Sequence, residues 1–183
     1  MMKQEDIVGA IHASTVDVFE TMLGWNIEKE AVFMETHAPG PSDGIITVVG
    51  LAGAWVGTAS ICCSASLACR ISSAMLGSAY ATVDDDVLDA MAEVSNMIIG
   101  NFKNAAEDYL GPLGLSIPTV FYGLGFSART AGKEKWIVAP FRCDSDIFEV
   151  KICLTLNRGL AHIGKVNPTL FSELGTTESS LNV

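Results

Sequence analysis

The sequence predicts an α+β domain in two layers, with helices packed on one face of a mostly antiparallel β-sheet. Three observations carry this expectation. Over Asp146 to Leu156, Phe148, Val150, Ile152, Leu154 and Leu156 alternate with Glu149, Lys151, Cys153 and Thr155, the pattern of a strand with one covered and one largely wet face. A segment opened by Asp84, Asp85 and Asp86 keeps helical apolar spacing to about Leu110 and stops at Gly111-Pro112. Between the termini, the β-branched runs Ile45 to Val49 and Ala54 to Ile61 are joined by Gly50-Leu51-Ala52-Gly53, which predicts a hairpin.

The remaining elements follow in order. Ile7, Val8, Ile11, Val18, Phe19, Met22 and Leu23 recur at helical spacing, and Gly24 stands where a C-terminal cap belongs. Ala31 to Thr36 fits a short strand, and His37 to Gly44, with two prolines and two glycines, fits a loop. A second helix is expected from about Ser64 to Leu76, stopped by Gly77. Thr119 to Ser127 and Lys135 to Arg142 are the further strands, the latter turning at Cys143-Asp144-Ser145 into the alternating strand above. Residues 1–156 then form one domain, and 157–183 a polar C-terminal extension, partly frayed.

Composition narrows the function. At 183 residues, 49% apolar and 17% charged, with mean hydropathy +0.37, the chain is too hydrophobic for disorder and long enough for its own core. The weakly polar stretch Ile45 to Arg70 is interrupted by Gly50, Gly53 and Gly57 and falls short of a spanning helix, and Met1 to Asp6 lacks the pattern of a signal peptide. A cytoplasmic protein is expected. A formal charge of −10 repels phosphate backbones and anionic lipid, so neither nucleic acid nor membrane is an expected partner. Cys62, Cys63, Cys69, Cys143 and Cys153 form no CxxC pair and read as small buried residues carrying thiols; His12, His37 and His162 match no ligand spacing. No metal site is expected.

On the long helix, Val87, Leu88, Met91, Val94, Ile98, Ile99, Phe102, Ala105, Ala106 and Tyr109 gather on one arc, the core face. Asp89, Glu93, Asn96 and Gly100 form a stripe on the opposite face. By polarity alone the stripe is an ordinary solvated surface. Two residues argue for more: Gly100 weakens an exposed helix interior by ~1 kcal/mol relative to Ala, which suits close approach by another backbone, and Asn96 is a weak helix former.

Asp89-x-x-x-Glu93-x-x-Asn96, followed 22 residues after Asn96 by Pro118, resembles the signature of the CheC/CheX/FliY family of chemotaxis phosphatases. Val18 to Gly24, the Gly50 to Ser60 hairpin and Ser116-Ile117-Pro118-Thr119-Val120 are similar to its single-site CheX branch, so that the resemblance spans roughly residues 5 to 156. The first helix carries Leu23 where a second motif would need Asn, which favours one site over two.

The resemblance implies a protein substrate, the phosphorylated aspartate of a CheY-like response-regulator receiver, and hydrolysis of its acyl phosphate. The receiver would supply Mg2+ and a lysine, so the chain itself would bind no cofactor. By the same analogy Asn96 would hold the attacking water, Glu93 would pair with the receiver's lysine, Asp89 and Gly100 would border the interface, and Pro118 would serve as a structural part of the motif. CheX-like relatives pair, and exposed sheet edges invite pairing, so a homodimer is expected. Two alternatives stay open: a receiver-binding switch or adaptor without hydrolysis, and a small-ligand binding domain using an unrelated pocket.

Overall fold

The computed structural model describes residues 4–36, 43–124 and 135–157. Helix α1 (Gln4–Val18) continues into a single π-helical stretch, Phe19–Leu23, and Gly24 ends it at φ 68° with its N–H on the Phe19 carbonyl. Strands β1 (Glu28–Lys29), β2 (Phe33–Glu35), β3 (Asp43–Gly53) and β4 (Trp55–Cys63) follow, then helices α2 (Ala65–Leu76) and α3 (Asp85–Leu110), then β5 (Leu113–Leu115), β6 (Thr119–Leu124), β7 (Trp136–Cys143) and β8 (Asp146–Leu156). Among the described residues these strands form one antiparallel sheet in the order β1-β7-β8-β4-β3-β5, with β2 also on β7 and β6 also on β3.

The helices end where their caps place them. Ser64 accepts from the Leu67 N–H at the start of α2, Asp84 accepts from Val87 at the start of α3, and Gly77 closes α2 at φ 66°. The core lies between helices and sheet, with Ile7 and Ile11 of α1, Leu67 and Ile71 of α2, and Met91, Ile98 and Phe102 of α3 packed over Ile45, Ala59, Phe141 and Val150. Phe148 stacks between Phe19 and Phe141, at centroid distances of 4.8 and 5.2 Å. Arg70 of α2 reaches Asp144 and Asp146 at the β7–β8 turn and lies over the Trp25 ring, so one cation binds three segments.

Several expectations need correction. The hairpin does not turn at Gly50-Leu51-Ala52-Gly53; Gly50 and Leu51 still pair with Thr58 and Gly57, and β3 runs on to Gly53. Beyond that pair the strands part, Ala52 and Gly53 joining β5 while Trp55 and Val56 join β8. The glycines serve close packing instead of a turn, since a Cβ at Gly53 would collide with the Pro112 carbonyl. Asp43 and Gly44 belong to β3 and not to the preceding loop, whose residues 37–42 lie outside the described residues, as do 125–127 of the expected Thr119 to Ser127 strand. Strands β1 and β5 are too short to leave a periodic signal.

The sheet face away from the helices is drier than alternation predicts. Trp136, Val138 and Cys153 form a second buried cluster there, and Lys151 is only 5% exposed. A lysine tolerates this because its ammonium meets Glu149 at 2.9 Å and Glu35 at 3.5 Å. Burial alone would lower its pKa, yet the Glu149 hydrogen bond and charge outweigh it and hold the group above its ordinary value. On α3, Ala105 and Tyr109 are exposed and Leu88 half-buried, whereas Ala90, Ser95 and Leu110 are buried, so the buried face is not the single arc that 100° spacing of the apolar residues predicts. Of the proposed extension 157–183, only Asn157 is described, and it bonds the hairpin, its N–H on the Ala54 carbonyl at 2.9 Å and its amide on that of Gly53 at 3.1 Å.

Candidate functional site

The N-terminal half of α3 displays the polar stripe because its other face is fixed. Val87, Met91, Val94, Ile98 and Ile99 are buried, which leaves Asp89, Glu93 and Asn96 exposed on the outward side. Opposite them runs the chain from β5 into β6. It is anchored at one end by Glu107 of α3, which accepts from the Leu113 N–H at 3.1 Å while paired with Lys103 at 2.8 Å. At the other end Ser116 N–H donates to the Gly50 carbonyl at 2.9 Å, and Gly50 N–H donates to the Ser116 hydroxyl at 2.8 Å.

Between these two walls lies an open groove of about 560 Å³, lined by Asp89, Ala92, Glu93 and Asn96 from α3 and by Leu115, Ser116, Ile117 and Pro118 from the facing segment. Three stripe residues and Pro118 are thus brought together, although Pro118 lies 22 residues beyond Asn96. Gly100 is not among the lining residues; it continues the stripe one turn further, and apart from its own stretch of helix backbone nothing lies within 4 Å of where its Cβ would stand. Ala92, Leu115, Ser116 and Ile117 complete the groove and are not among the site residues that the sequence points to. The signal was the Ser116-Ile117-Pro118 run, whose position against Gly50 depends on sheet register.

The groove offers two carboxylates and a carboxamide, all exposed, beside an apolar wall. It contains no Ser, Cys or His placed as a nucleophile–base pair, and among the described residues no group of three or more His, Cys, Asp or Glu is arranged to hold a metal ion. The thiols lie elsewhere, buried: desolvation raises Cys62 to about 11, and raises Cys63, Cys69 and Cys143 as well, which keeps them protonated at neutral pH. No helix among the described residues is long and apolar enough to cross a membrane.

An antiparallel sheet with helices packed on one face is the fold of CheC-like proteins. The fold agrees with a CheC-like superfamily protein from Shewanella sp. PV-4 at TM-score 0.75 (22% identity, 84% of this chain and 99% of that one). It agrees also with the chemotaxis protein CheX of Desulfovibrio desulfuricans at 0.73 (26% identity, 81% and 99%). A third match, at 0.71 (24% identity, 81% and 97%), is the CheX–CheY–BeF3–Mg2+ complex of Borrelia burgdorferi. No curated protein sequence matches the chain. The profile of the chemotaxis phosphatase CheX family matches residues 45–142, more than half of the chain, and the chain belongs to that family.

Proposed function

We propose that this protein hydrolyses the aspartyl phosphate of a CheY-like receiver, with the groove on α3 as its docking and catalytic surface. The observation that carries this reading is the convergence of Asp89, Glu93, Asn96 and Pro118 on one open groove in a CheX-family chain. The capture of a CheX with CheY, BeF3 and Mg2+ in the Borrelia burgdorferi complex supports the kind of partner.

In the proposed reaction water attacks phosphorus, the bond from phosphorus to the aspartyl oxygen breaks with its electron pair leaving on the carboxylate, and inorganic phosphate departs. The Mg2+ and lysine belong to the substrate. Asn96 carries both a donor and an acceptor on one amide, which suits holding water in line with phosphorus. Glu93, one helical turn away, supplies a charge for the receiver's lysine, and Asp89 lies at the end of the same wall. Pro118 fixes the backbone of the opposite wall where it enters β6. On this reading the protein shares the cytoplasm with its substrate; a homodimer is proposed separately, and its mass by light scattering at micromolar concentration would be twice 19.4 kDa.

The deciding experiment follows decay of a phosphorylated receiver with and without the protein. Acceleration with Mg2+ and none in chelator is expected. Binding of the phosphorylated receiver without acceleration would replace the phosphatase with an adaptor.

A further inference from the structure

We propose that Ile117 is the apolar docking anchor of this groove, the side chain that seats the phosphorylated receiver and sets which receivers are accepted; the inference rests on the receiver reading above. Among the described residues Ile117 is the most exposed large hydrophobic side chain, at 88%, against 54% for Tyr109, the next. A single exposed apolar residue is ordinary. Ile117, however, lines the same groove as Glu93 and Asn96, and its backbone is held on both sides.

Ser116 makes two reciprocal hydrogen bonds with Gly50 and donates its hydroxyl to the Ile117 carbonyl at 3.0 Å, while Pro118 fixes φ immediately afterwards. Gly50 permits this approach, since a Cβ there would stand 3.3 Å from the Ser116 hydroxyl. An exposed isoleucine on a pinned backbone loses little freedom when covered, which is the property of a pre-organised anchor. The facing wall is acidic, with Asp89 and Glu93. An occupant must therefore present a cation next to an apolar patch, which a receiver does when its active-site lysine is bordered by an apolar side chain. Receivers with a polar or acidic residue at that border are disfavoured.

The test compares Ile117→Ser and Ile117→Val in the full chain, reading receiver hydrolysis, affinity for the BeF3-activated receiver, and mass by light scattering. Ile117→Ser should raise both KM and Kd by about tenfold or more with kcat unchanged, and Ile117→Val should recover most of the loss. Unchanged KM and Kd in Ile117→Ser, or a fall in kcat alone, would overturn the anchor while leaving the phosphatase standing. A halved mass in Ile117→Ser would also overturn it, by assigning the side chain to contact with a second copy of this chain. Failure of the unaltered protein to bind or hydrolyse any receiver would instead sink the receiver reading, and the anchor with it.

Discussion

The Thr47 hydroxyl of β3 lies 2.6 Å from the Ser95 hydroxyl of α3, both fully buried, on the helix position immediately before Asn96. Ser95 donates to the Met91 carbonyl at 2.8 Å, so its single proton is committed and Thr47 is the donor to Ser95. This buried polar contact ties α3 to β3 one residue before Asn96, as the Glu107 contact with Leu113 ties its C-terminal end to β5.

Ser95→Ala should therefore cost about 1–3 kcal/mol, because it leaves the Thr47 hydroxyl buried without the acceptor this contact supplies. Adding Thr47→Val should return part of that loss. Urea unfolding of the two single variants and the double variant measures the coupling; strict additivity would mean that the contact contributes nothing of its own.

Asn96→Ala should abolish receiver dephosphorylation, by a factor of about 10² or more, while leaving receiver binding nearly intact, since a water-positioning amide acts mainly in the transition state. Glu93→Ala should weaken binding as well, and its effect should shrink at high salt, where the charge pairing is screened. Asp89→Ala should change little. Turnover by Asn96→Ala at the rate of the unaltered protein would remove the water-positioning role.

Gly100→Ala should stabilise the fold by ~1 kcal/mol, because the Cβ meets nothing within 4 Å beyond its own stretch of helix backbone and helical φ suits alanine. If the docked receiver passes over this turn, the same substitution should weaken binding. Thermal unfolding and receiver titration on one sample separate the two effects.

His12 gives a pH dependence. Its Nε2 is buried without a hydrogen-bond partner and its ring meets Phe141 edge-on at 5.5 Å. Burial, and then the charge of Lys29, depress its pKa below 6.5. The unfolded chain takes up this proton near 6.5 and the folded one resists it, so the contribution to stability is intact above that pH and is lost as pH falls toward the folded value. The urea midpoint should decline between pH 7.5 and 5.5, and less steeply in His12→Gln. Equal slopes would show that His12 does not carry the effect.

Local chemistry alone determined much of this molecule. Ser64 and Gly77, and Asp84 and Gly111, bound two helices because capping is a matter of a few consecutive residues, and the same periodicity placed Asp89, Glu93 and Asn96 on one exposed face of α3. The strand β8 was legible to its ends, Asp146 and Leu156. Tertiary structure decided the rest. Lys151 and Cys153 alternate with apolar residues as a wet face would, yet are buried, because ion pairing and burial depend on Glu35 and Trp136, which the chain brings alongside only through sheet pairing. Gly50 and Gly53 look like turn residues and are contact residues, a distinction set by which backbone approaches them. The groove itself is of this second kind: the helix supplies one wall from its own geometry, but Ile117 and Pro118 face Asn96 only because β5 and β6 pair with β3 in a register that no local pattern encodes.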